Sequence, residues 1–264
     1  MSDTTEHLAP HTAPTLARLR ASLAQRPESE ARIPLGHPEA DAALAGGLAR
    51  GALHEVFAGV GHEATATGFA AALAARLSAN RRILWIRQDY SALEFGELSA
   101  TGFLELGLNP ERLLLLCAAH AEDAVRAAAD TLSCAALGAV VIEIPGTPKV
   151  LDLVTSRRLT LAAAQTDVPA ILLRFAAEPE ASAAETRWLV AAARSQAKEE
   201  NWGQPVFEAE LVRNRHGRTG RWVMEWNCDA CLFTADRGAV AAAAFDRSAA
   251  AALEGEGRRR RSVA

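Results

Sequence analysis

Apolar runs typical of β-strands alternate at steady spacing with helix-like segments through most of this 264-residue chain. The predicted strands are Leu53–Ala58, Arg82–Arg87, Arg112–Cys117, Ala139–Ile144 and Ala170–Phe175. The predicted helices are Ala66–Ser78, Ser91–Glu105, Ala121–Ala136 and Val150–Gln165, followed by a helix near Ala184–Gln196. Continuous apolar strands separated by helices form a parallel sheet that is covered on both faces. The sequence therefore predicts an α/β fold with a mainly parallel sheet flanked by helices.

The pattern changes near the C-terminal end of this core. Val206–Asn214 and Arg221–Asn227 flank the stretch HGRTG, which predicts an antiparallel hairpin with a glycine turn. The sequence predicts one domain at residues 15–234, made of an amphipathic helix at 15–26 and a core at 32–234. Residues 1–14 are predicted to be a disordered N-terminus, and residues 235–264 an Ala-rich segment with a basic tail. The helix either folds onto its own domain or binds another chain.

One stretch, Leu53–Arg76, has the strand, glycine loop and helix of a phosphate-binding P-loop. Such a loop works because glycines let backbone N–H groups surround phosphate, a lysine neutralises charge and a hydroxyl binds magnesium. Aligned with G-x-x-x-x-G-K-[ST], the stretch has Ala58, Glu63 and Ala64 at the Gly, Gly and Lys positions. Only the final hydroxyl residue, Thr65, is kept, and a register that starts one residue later fits no better. The scaffold is that of a nucleotide-binding protein without its phosphate-binding residues.

Composition limits the other classes of function. The net charge of −4 and pI of about 6.0 do not match a general nucleic-acid binder, so any basic contact surface must be local. The N-terminus has no apolar signal-peptide core, and no charge-free run is long enough to span a membrane, which predicts a cytoplasmic protein. Cys228 and Cys231 form a single C-x-x-C, at most half of a zinc site, and Cys117 and Cys134 are expected to be small buried hydrophobes. No metal or cofactor is expected.

Two sets of residues are candidate contacts for DNA or a partner protein. One is the basic cluster at the hairpin turn together with Trp222, and the other is the arginine run in the tail. These residues are Arg213, Arg215, Arg218, Arg221, Trp222, Arg258, Arg259, Arg260 and Arg261. Arginines and tryptophans are enriched at binding hot spots, but a charge run is also typical of a solvated face, and the five tryptophans are also typical core residues.

The order of these segments resembles the RecA recombinase core. The resemblance rests on LGHPEADAALAGGLARGALHEVFAG, the strand RILWIRQD, the segment LGLNPERLLLLCAAHAEDAVRAAADTL, the Walker B-like strand GAVVIEIPGTPK and the late hairpin FEAELVRNRHGRTGRWVMEWN. More narrowly, the divergent P-loop, AETRWLVAAARS and LVRNRHGRTGRW resemble the ImuA family. That family comprises RecA-like proteins of the bacterial mutagenesis cassette, which are sometimes labelled SulA-like. The resemblance covers roughly residues 15–230.

The resemblance implies which catalytic positions survive. Glu143 stands where RecA-like ATPases bind magnesium, and Asp89 stands near the position of the water-activating carboxylate. With Gly59, Gly61 and Thr65, these two residues would be the remnants of a nucleotide site. Each carboxylate also fits a strand end that faces solvent or caps a helix. The lysine is missing and Glu63 lies beside the phosphate position. Nucleotide binding is therefore expected to be several kcal/mol less favourable than in an intact P-loop, and no ATP hydrolysis is expected.

The resemblance also implies a function and partners. The chain is expected to be a non-catalytic adaptor in DNA repair, the SOS response to DNA damage, mutagenesis and translesion synthesis. Its expected partners are an ImuB-like Y-family polymerase homologue, RecA, a DnaE-type error-prone polymerase and, weakly, DNA. The loop 176–184 carries Glu178 and Glu180 and no basic residue, so a RecA-type DNA contact is not expected there.

The sequence leaves two other functions open and favours one partner-binding region. The alternatives are an atypical RecA-like NTPase and a SulA-like inhibitor of cell division. The partner-binding function is assigned to the C-terminal third of the chain. The strands and helices of the parallel core are explained by packing, whereas many residues of the hairpin and the Ala-rich tail are not.

Overall fold

The computed structural model describes residues 32–195 and 203–235. The strands are β1 Arg32–Ile33, β2 Leu48–Ala49, β3 Leu53–Ala58, β4 Arg82–Gln88, β5 Leu113–Ala118, β6 Leu137–Glu143, β7 Ala170–Arg174, β8 Thr186–Ala192, β9 Val206–Asn214, β10 Gly220–Asn227 and β11 Leu232–Ala235. The helices are α1 Pro38–Ala43, α2 Glu63–Leu77, α3 Ser91–Phe95, α4 Ala100–Glu105, α5 Ala121–Thr131 and α6 Leu153–Thr166, with a 3₁₀ turn at Pro110–Arg112. The predicted N-terminal helix, Trp202 and the basic tail lie outside the described residues.

The main sheet has nine strands in the order β11-β10-β9-β8-β3-β7-β6-β4-β5. The strands from β8 to β5 run parallel to one another, and β9, β10 and β11 add to β8 as an antiparallel extension. The predicted α/β class, the mainly parallel sheet and the C-terminal antiparallel hairpin are therefore confirmed. A separate small sheet pairs β1 with β2.

Helices cover both faces of the parallel strands. On one face, α2 packs against β3, β6, β7 and β8, and its side chains share a core with Trp85 and Trp188. On the other face, α5 and α6 pack over a second core that contains Leu84 and Ile86. Neighbouring residues of β4 thus belong to opposite cores, as the alternation of side chains along a buried strand requires.

Three predictions of local structure were wrong. The segment near Ala184–Gln196 is the strand β8, because the run Thr186–Ala192 pairs on both sides, with β3 and β9, and this pairing overrides the helix propensity of its alanines. The predicted helix Ser91–Glu105 is two short helices that are separated at Gly96, whose φ of +84° is outside the helical region. Cys117 and Cys134 are exposed rather than buried.

A buried histidine links β3 to its neighbours. His54 is fully buried, with Nδ1 2.8 Å from Thr186 Oγ1 and Nε2 2.8 Å from the Ala49 carbonyl oxygen. The Thr186 oxygen also accepts a hydrogen bond from the Trp188 indole N–H, at 3.2 Å. A neutral ring that donates from Nε2 and accepts at Nδ1 satisfies every one of these groups. Burial lowers the pKa of His54 below its ordinary value, and the nearby Glu185 carboxylate only partly opposes this effect.

We expect the free energy of unfolding to fall as the pH drops below about 6.5. In that range the unfolded chain protonates its histidine while folded His54 stays neutral, so acid favours the unfolded state. Between pH 7.5 and 5.5 the wild type should lose up to about 1.4 kcal/mol more than His54→Gln, which cannot titrate. Urea unfolding at the two pH values measures this difference, and equal losses in both proteins would show that His54 does not cause it.

Candidate functional site at the carboxyl edge of the sheet

The carboxyl ends of the parallel strands β3, β4, β6, β7 and β8 lie along one edge of the sheet. In open α/β sheets this edge is where ligands bind, beside the loops that leave the strands. The residues predicted as remnants of a nucleotide site all follow or end these strands. The edge is therefore the place to compare their geometry with that of a phosphate-binding site.

The loop after β3 engages two of its backbone N–H groups in contacts within the loop. The N–H of Gly61 donates to Glu63 Oε1 at 3.3 Å, and the His62 N–H donates to the Gly59 carbonyl at 3.0 Å. His62 Nδ1 accepts the Ala192 N–H from the end of β8, at 3.3 Å. A P-loop needs its amides to point at phosphate oxygens, whereas here a carboxylate already occupies one of them. A phosphate that bound the Gly61 N–H would have to displace the Glu63 carboxylate.

The other P-loop positions lack basic groups. Ala64, at the lysine position, and Thr65 lie in the first turn of α2, and neither side chain carries a charge. At the tip of the loop, Val60 is 95% exposed. An apolar side chain pointing into solvent at the centre of a phosphate loop contributes nothing to phosphate binding.

The carboxylate at the magnesium position is closed off by two neighbouring side chains. Glu143 is 1% exposed, and its Oε2 accepts the Trp85 indole N–H at 2.8 Å. Its Oε1 accepts Arg87 Nη2 at 2.9 Å and Arg87 Nε at 3.2 Å. Both oxygens are engaged, and the guanidinium neutralises their charge in a buried place. Glu143 neither faces solvent nor caps a helix, so the two structural roles considered for it do not apply, and both of its oxygens already accept hydrogen bonds from the neighbouring strand β4.

Arg87 and Trp85 are the residues that the sequence analysis missed. The parallel register sets Arg87 directly beside Glu143 on the neighbouring strand. A signal was available in RILWIRQ, since an arginine inside a run that is otherwise apolar must find an acidic partner if the strand is buried. Glu143 could not be identified as that partner from the sequence, because hydrophobic periodicity locates the strands but does not give their order in the sheet.

A cavity of about 270 Å³ opens beside this ion pair, between α2 and the segment 95–106. Arg87 and Glu143 line it together with apolar side chains that include Phe95, Phe103 and Phe175. Arg87 Nη1 makes no hydrogen bond in the described structure and lies 3.8 Å from Glu97 Oε2. The site therefore has a polar floor that is already charge-balanced and walls that are mostly apolar.

Asp89, the other predicted remnant, lies apart from these contacts. It is exposed just after β4, where its backbone N–H donates to the Ala118 carbonyl at 2.9 Å. Its carboxylate makes no hydrogen bond to any residue that the structure describes. The carboxyl edge thus brings the start of α2, at Ala64 and Thr67, to the same cavity as Glu143 and Arg87, but it leaves Asp89 as a surface carboxylate.

Two of the hairpin arginines bind the loop between β7 and β8. Arg213 Nη1 donates to the Ser182 carbonyl at 2.7 Å, and Arg215 Nη1 approaches the Ala183 carbonyl at 3.4 Å. Arg187 donates to the Glu180 carbonyl in the same loop and pairs with Glu55 at 2.7 Å. These contacts hold the loop against the sheet, so part of the predicted basic surface has a structural role.

The remaining candidate residues of the hairpin differ in their exposure and in their contacts within the chain. Arg221 forms an ion pair with Glu208, and the Arg218 side chain is exposed. Trp222 is half-buried, with its ring 6.3 Å from Trp188 and 6.4 Å from His37. Core packing of tryptophan is confirmed for Trp85, Trp188 and Trp226, which are fully buried. The assignment of Arg218 to DNA contact stays a prediction, and Arg258–Arg261 lie outside the described residues.

Within residues 32–195 and 203–235, no group of three or more His, Cys, Asp or Glu side chains could hold a metal ion. None of the helices in these two ranges is long and apolar enough to cross a membrane. No known protein-family model matches the chain, and no curated protein shows significant similarity to it.

Proposed function

We propose that this protein is a non-catalytic RecA-like adaptor in damage-induced mutagenesis and translesion DNA synthesis. The observation that carries the proposal is the closed contact among Glu143, Arg87 and Trp85 at the position where a RecA-like ATPase would bind magnesium. A carboxylate whose two oxygens are taken by fixed donors serves folding rather than metal binding. With Glu63 on the loop amide, the edge keeps the layout of a nucleotide site without its chemistry.

The support for a RecA-like core is the order of its parts. The degenerate loop follows β3, which is flanked by parallel strands on both sides, and the acidic residue ends β6, two strands away. The long hairpin of β9 and β10 extends the same sheet beyond β8. The sequence resemblance to the ImuA family concerns these same segments.

The adaptor role is supported by an apolar edge that the described chain leaves uncovered. Strand β5 is at one end of the sheet and pairs on one side only, with β4. Two of its side chains, Leu114 and Leu115, are 37% and 49% exposed and point to opposite faces. Native proteins seldom leave an apolar edge strand open to solvent, because its free N–H and C=O groups pair readily with another chain. The edge is suited to docking a partner strand.

This edge takes the place of the hairpin as the favoured docking surface. The hairpin was expected to supply hot-spot residues, yet Trp226 is buried and Arg213, Arg215 and Arg221 have partners within the chain. We assign the ImuB-like polymerase homologue to the β5 edge. RecA and the DnaE-type polymerase are further partners in the same proposal.

Affinity purification from DNA-damaged cells compares the wild type with Leu115→Lys. We expect the wild type to capture the ImuB-like protein and Leu115→Lys to capture at least about tenfold less, because the ammonium must be desolvated in the strand interface. Leu161→Lys on α6 is the matched control, since Leu161 is an equally large apolar residue that is 65% exposed. It should capture the partner as well as the wild type does.

A protein that ends at Thr234 completes the comparison. If this truncated protein folds by circular dichroism and loses the partner while Leu115→Lys retains it, the tail rather than the β5 edge binds the polymerase homologue. If wild-type protein captures no component of a mutagenesis complex, the adaptor proposal is wrong.

A further inference from the structure

A polar cleft of about 470 Å³ lies at the opposite edge of the sheet from the candidate nucleotide site. It is bounded by the end of α2 and the turn 78–81 before β4, by the loop 107–112 before β5, and by the β10–β11 turn at 229–231. The loop and the β10–β11 turn touch directly, because a Cβ added to Gly107 would lie 2.1 Å from the Cys228 carbonyl oxygen. Three segments that are distant in sequence therefore form one fixed concavity.

Three arginines line this cleft, and a backbone carbonyl orients each of them. Arg76 Nε donates to the Pro34 carbonyl at 2.7 Å, and Arg81 Nη1 donates to the Ala135 carbonyl at 2.7 Å. Arg112 Nη1 donates to the Asn80 carbonyl. Each guanidinium keeps further N–H groups that bind no described residue. Side chains anchored in this way lose less freedom when a ligand binds than free surface arginines would.

The charges of these three arginines are not neutralised by ion pairs within the described structure. Some other arginines are neutralised in this way: Arg32 pairs with Glu185, Arg87 with Glu143 and Arg187 with Glu55. No carboxylate among residues 32–195 and 203–235 lies within ion-pair distance of Arg76, Arg81 or Arg112. The only acidic residue in the lining is Asp229, which is exposed. The cleft thus has a local excess of positive charge on a chain whose net charge is −4.

We propose that this cleft binds phosphate groups, supplied either by a free oligophosphate or by the backbone of a nucleic acid. Guanidinium forks match phosphate oxygens in pairs, and three arginines in one cleft suit a multiply charged group or successive phosphodiesters better than a single carboxylate. The volume falls within the range of small-ligand sites.

The lining argues against an acidic peptide as the ligand. Peptides gain affinity from apolar anchors in pockets, and the only large apolar side chains in this lining, Ile83 and Leu108, are buried in the protein itself. The cleft also contains no aromatic side chain on which a base could stack. It therefore recognises phosphate without reading a base, and this inference holds whether or not the adaptor proposal is correct.

Fluorescence titrations of the full-length protein test the proposal with two probes, inorganic tripolyphosphate and a labelled single-stranded oligothymidylate. The cleft variant is Arg81→Gln with Arg112→Gln, and the charge-matched control is Arg157→Gln with Arg158→Gln, two exposed arginines of α6. Arg215→Gln with Arg218→Gln represents the hairpin. We expect the cleft variant alone to weaken binding by at least about tenfold. For the oligonucleotide it should also lower the slope of log K against log salt by about 1.4.

The two probes separate the two sources of phosphate. Saturable binding of tripolyphosphate without oligonucleotide binding assigns the cleft to free oligophosphates, and binding of the oligonucleotide that tripolyphosphate displaces assigns it to nucleic acid. The proposal is wrong if neither probe binds, if the cleft variant binds like its control, if only the hairpin variant loses binding, or if polyglutamate binds the cleft and phosphate does not. Thermal melting of each variant verifies that the fold is kept.

Discussion

Magnesium-ATP at roughly 1 mM is expected to raise the melting temperature of this protein by less than about 1 °C. The loop after β3 places the Glu63 carboxylate on the Gly61 N–H, and Ala64 supplies no positive charge. A triphosphate would therefore have to displace the Glu63 carboxylate and bind without the P-loop lysine. Because Glu143 is held by Arg87 and Trp85, magnesium would also lack its protein ligand.

A thermal scan tests whether magnesium-ATP binds, because a ligand that binds only the folded state must stabilise that state. A site with a dissociation constant near 10 μM would add about 2.7 kcal/mol at that concentration, which is roughly 5–10 °C for a domain of this size. The scan uses the Arg81→Gln, Arg112→Gln protein, so that the arginine cleft does not contribute. A magnesium-dependent rise of several degrees would establish an atypical NTPase site instead.

Restoring the P-loop residues separates binding from hydrolysis. Glu63→Gly with Ala64→Lys removes the internal carboxylate and returns the lysine. We expect no phosphate release from this variant, because Arg87 still occupies Glu143 and the exposed Asp89 makes no contact that would position an attacking water.

The parallel core could be predicted from the sequence because its strands are buried on both faces. β6 and β7 are apolar runs that carry a charged residue only at their last position, and their lengths and spacing identify them before any contact is known. β8 could not be recognised in this way. Its sequence TRWLVAA contains more helix formers than strand formers, and only pairing between β3 and β9 makes it extended. The exposure of Cys117 has a similar cause, since this cysteine belongs to an apolar run that proves to be an edge strand.

The degenerate nucleotide site could be predicted from the P-loop residues that the sequence lacks. The contacts made by its side chains could not, because they depend on the order of the strands in the sheet. The missing glycine and lysine are visible in the sequence, but the occupation of the Gly61 N–H by Glu63 is a matter of side-chain geometry. The pairing of Arg87 with Glu143 joins residues 56 positions apart, through the register of β4 with β6. The arginine cleft likewise joins three separate segments, and none of its arginines belongs to a motif.

Glu143→Gln is expected to destabilise the protein by about 3–5 kcal/mol. The amide keeps the size of the side chain and still accepts the Trp85 N–H, but it removes the buried counter-charge of Arg87. Only the exposed Glu97 carboxylate, 3.8 Å from Arg87 Nη1, then remains near the guanidinium. Urea unfolding measures the loss, and Glu178→Gln, which alters an exposed carboxylate, should change stability by no more than about 0.5 kcal/mol.

The double variant Arg87→Gln with Glu143→Gln distinguishes a structural ion pair from a remnant catalytic acid. Two neutral amides can hydrogen-bond to each other, so the double variant should be more stable than Glu143→Gln alone, with a coupling of at least about 1 kcal/mol in the mutant cycle. A catalytic carboxylate behaves in the opposite way, since active-site groups are retained at a cost to stability and their removal often stabilises the fold. If Glu143→Gln is as stable as the wild type, Glu143 is not held as the geometry indicates, and the main support for a non-catalytic protein is lost.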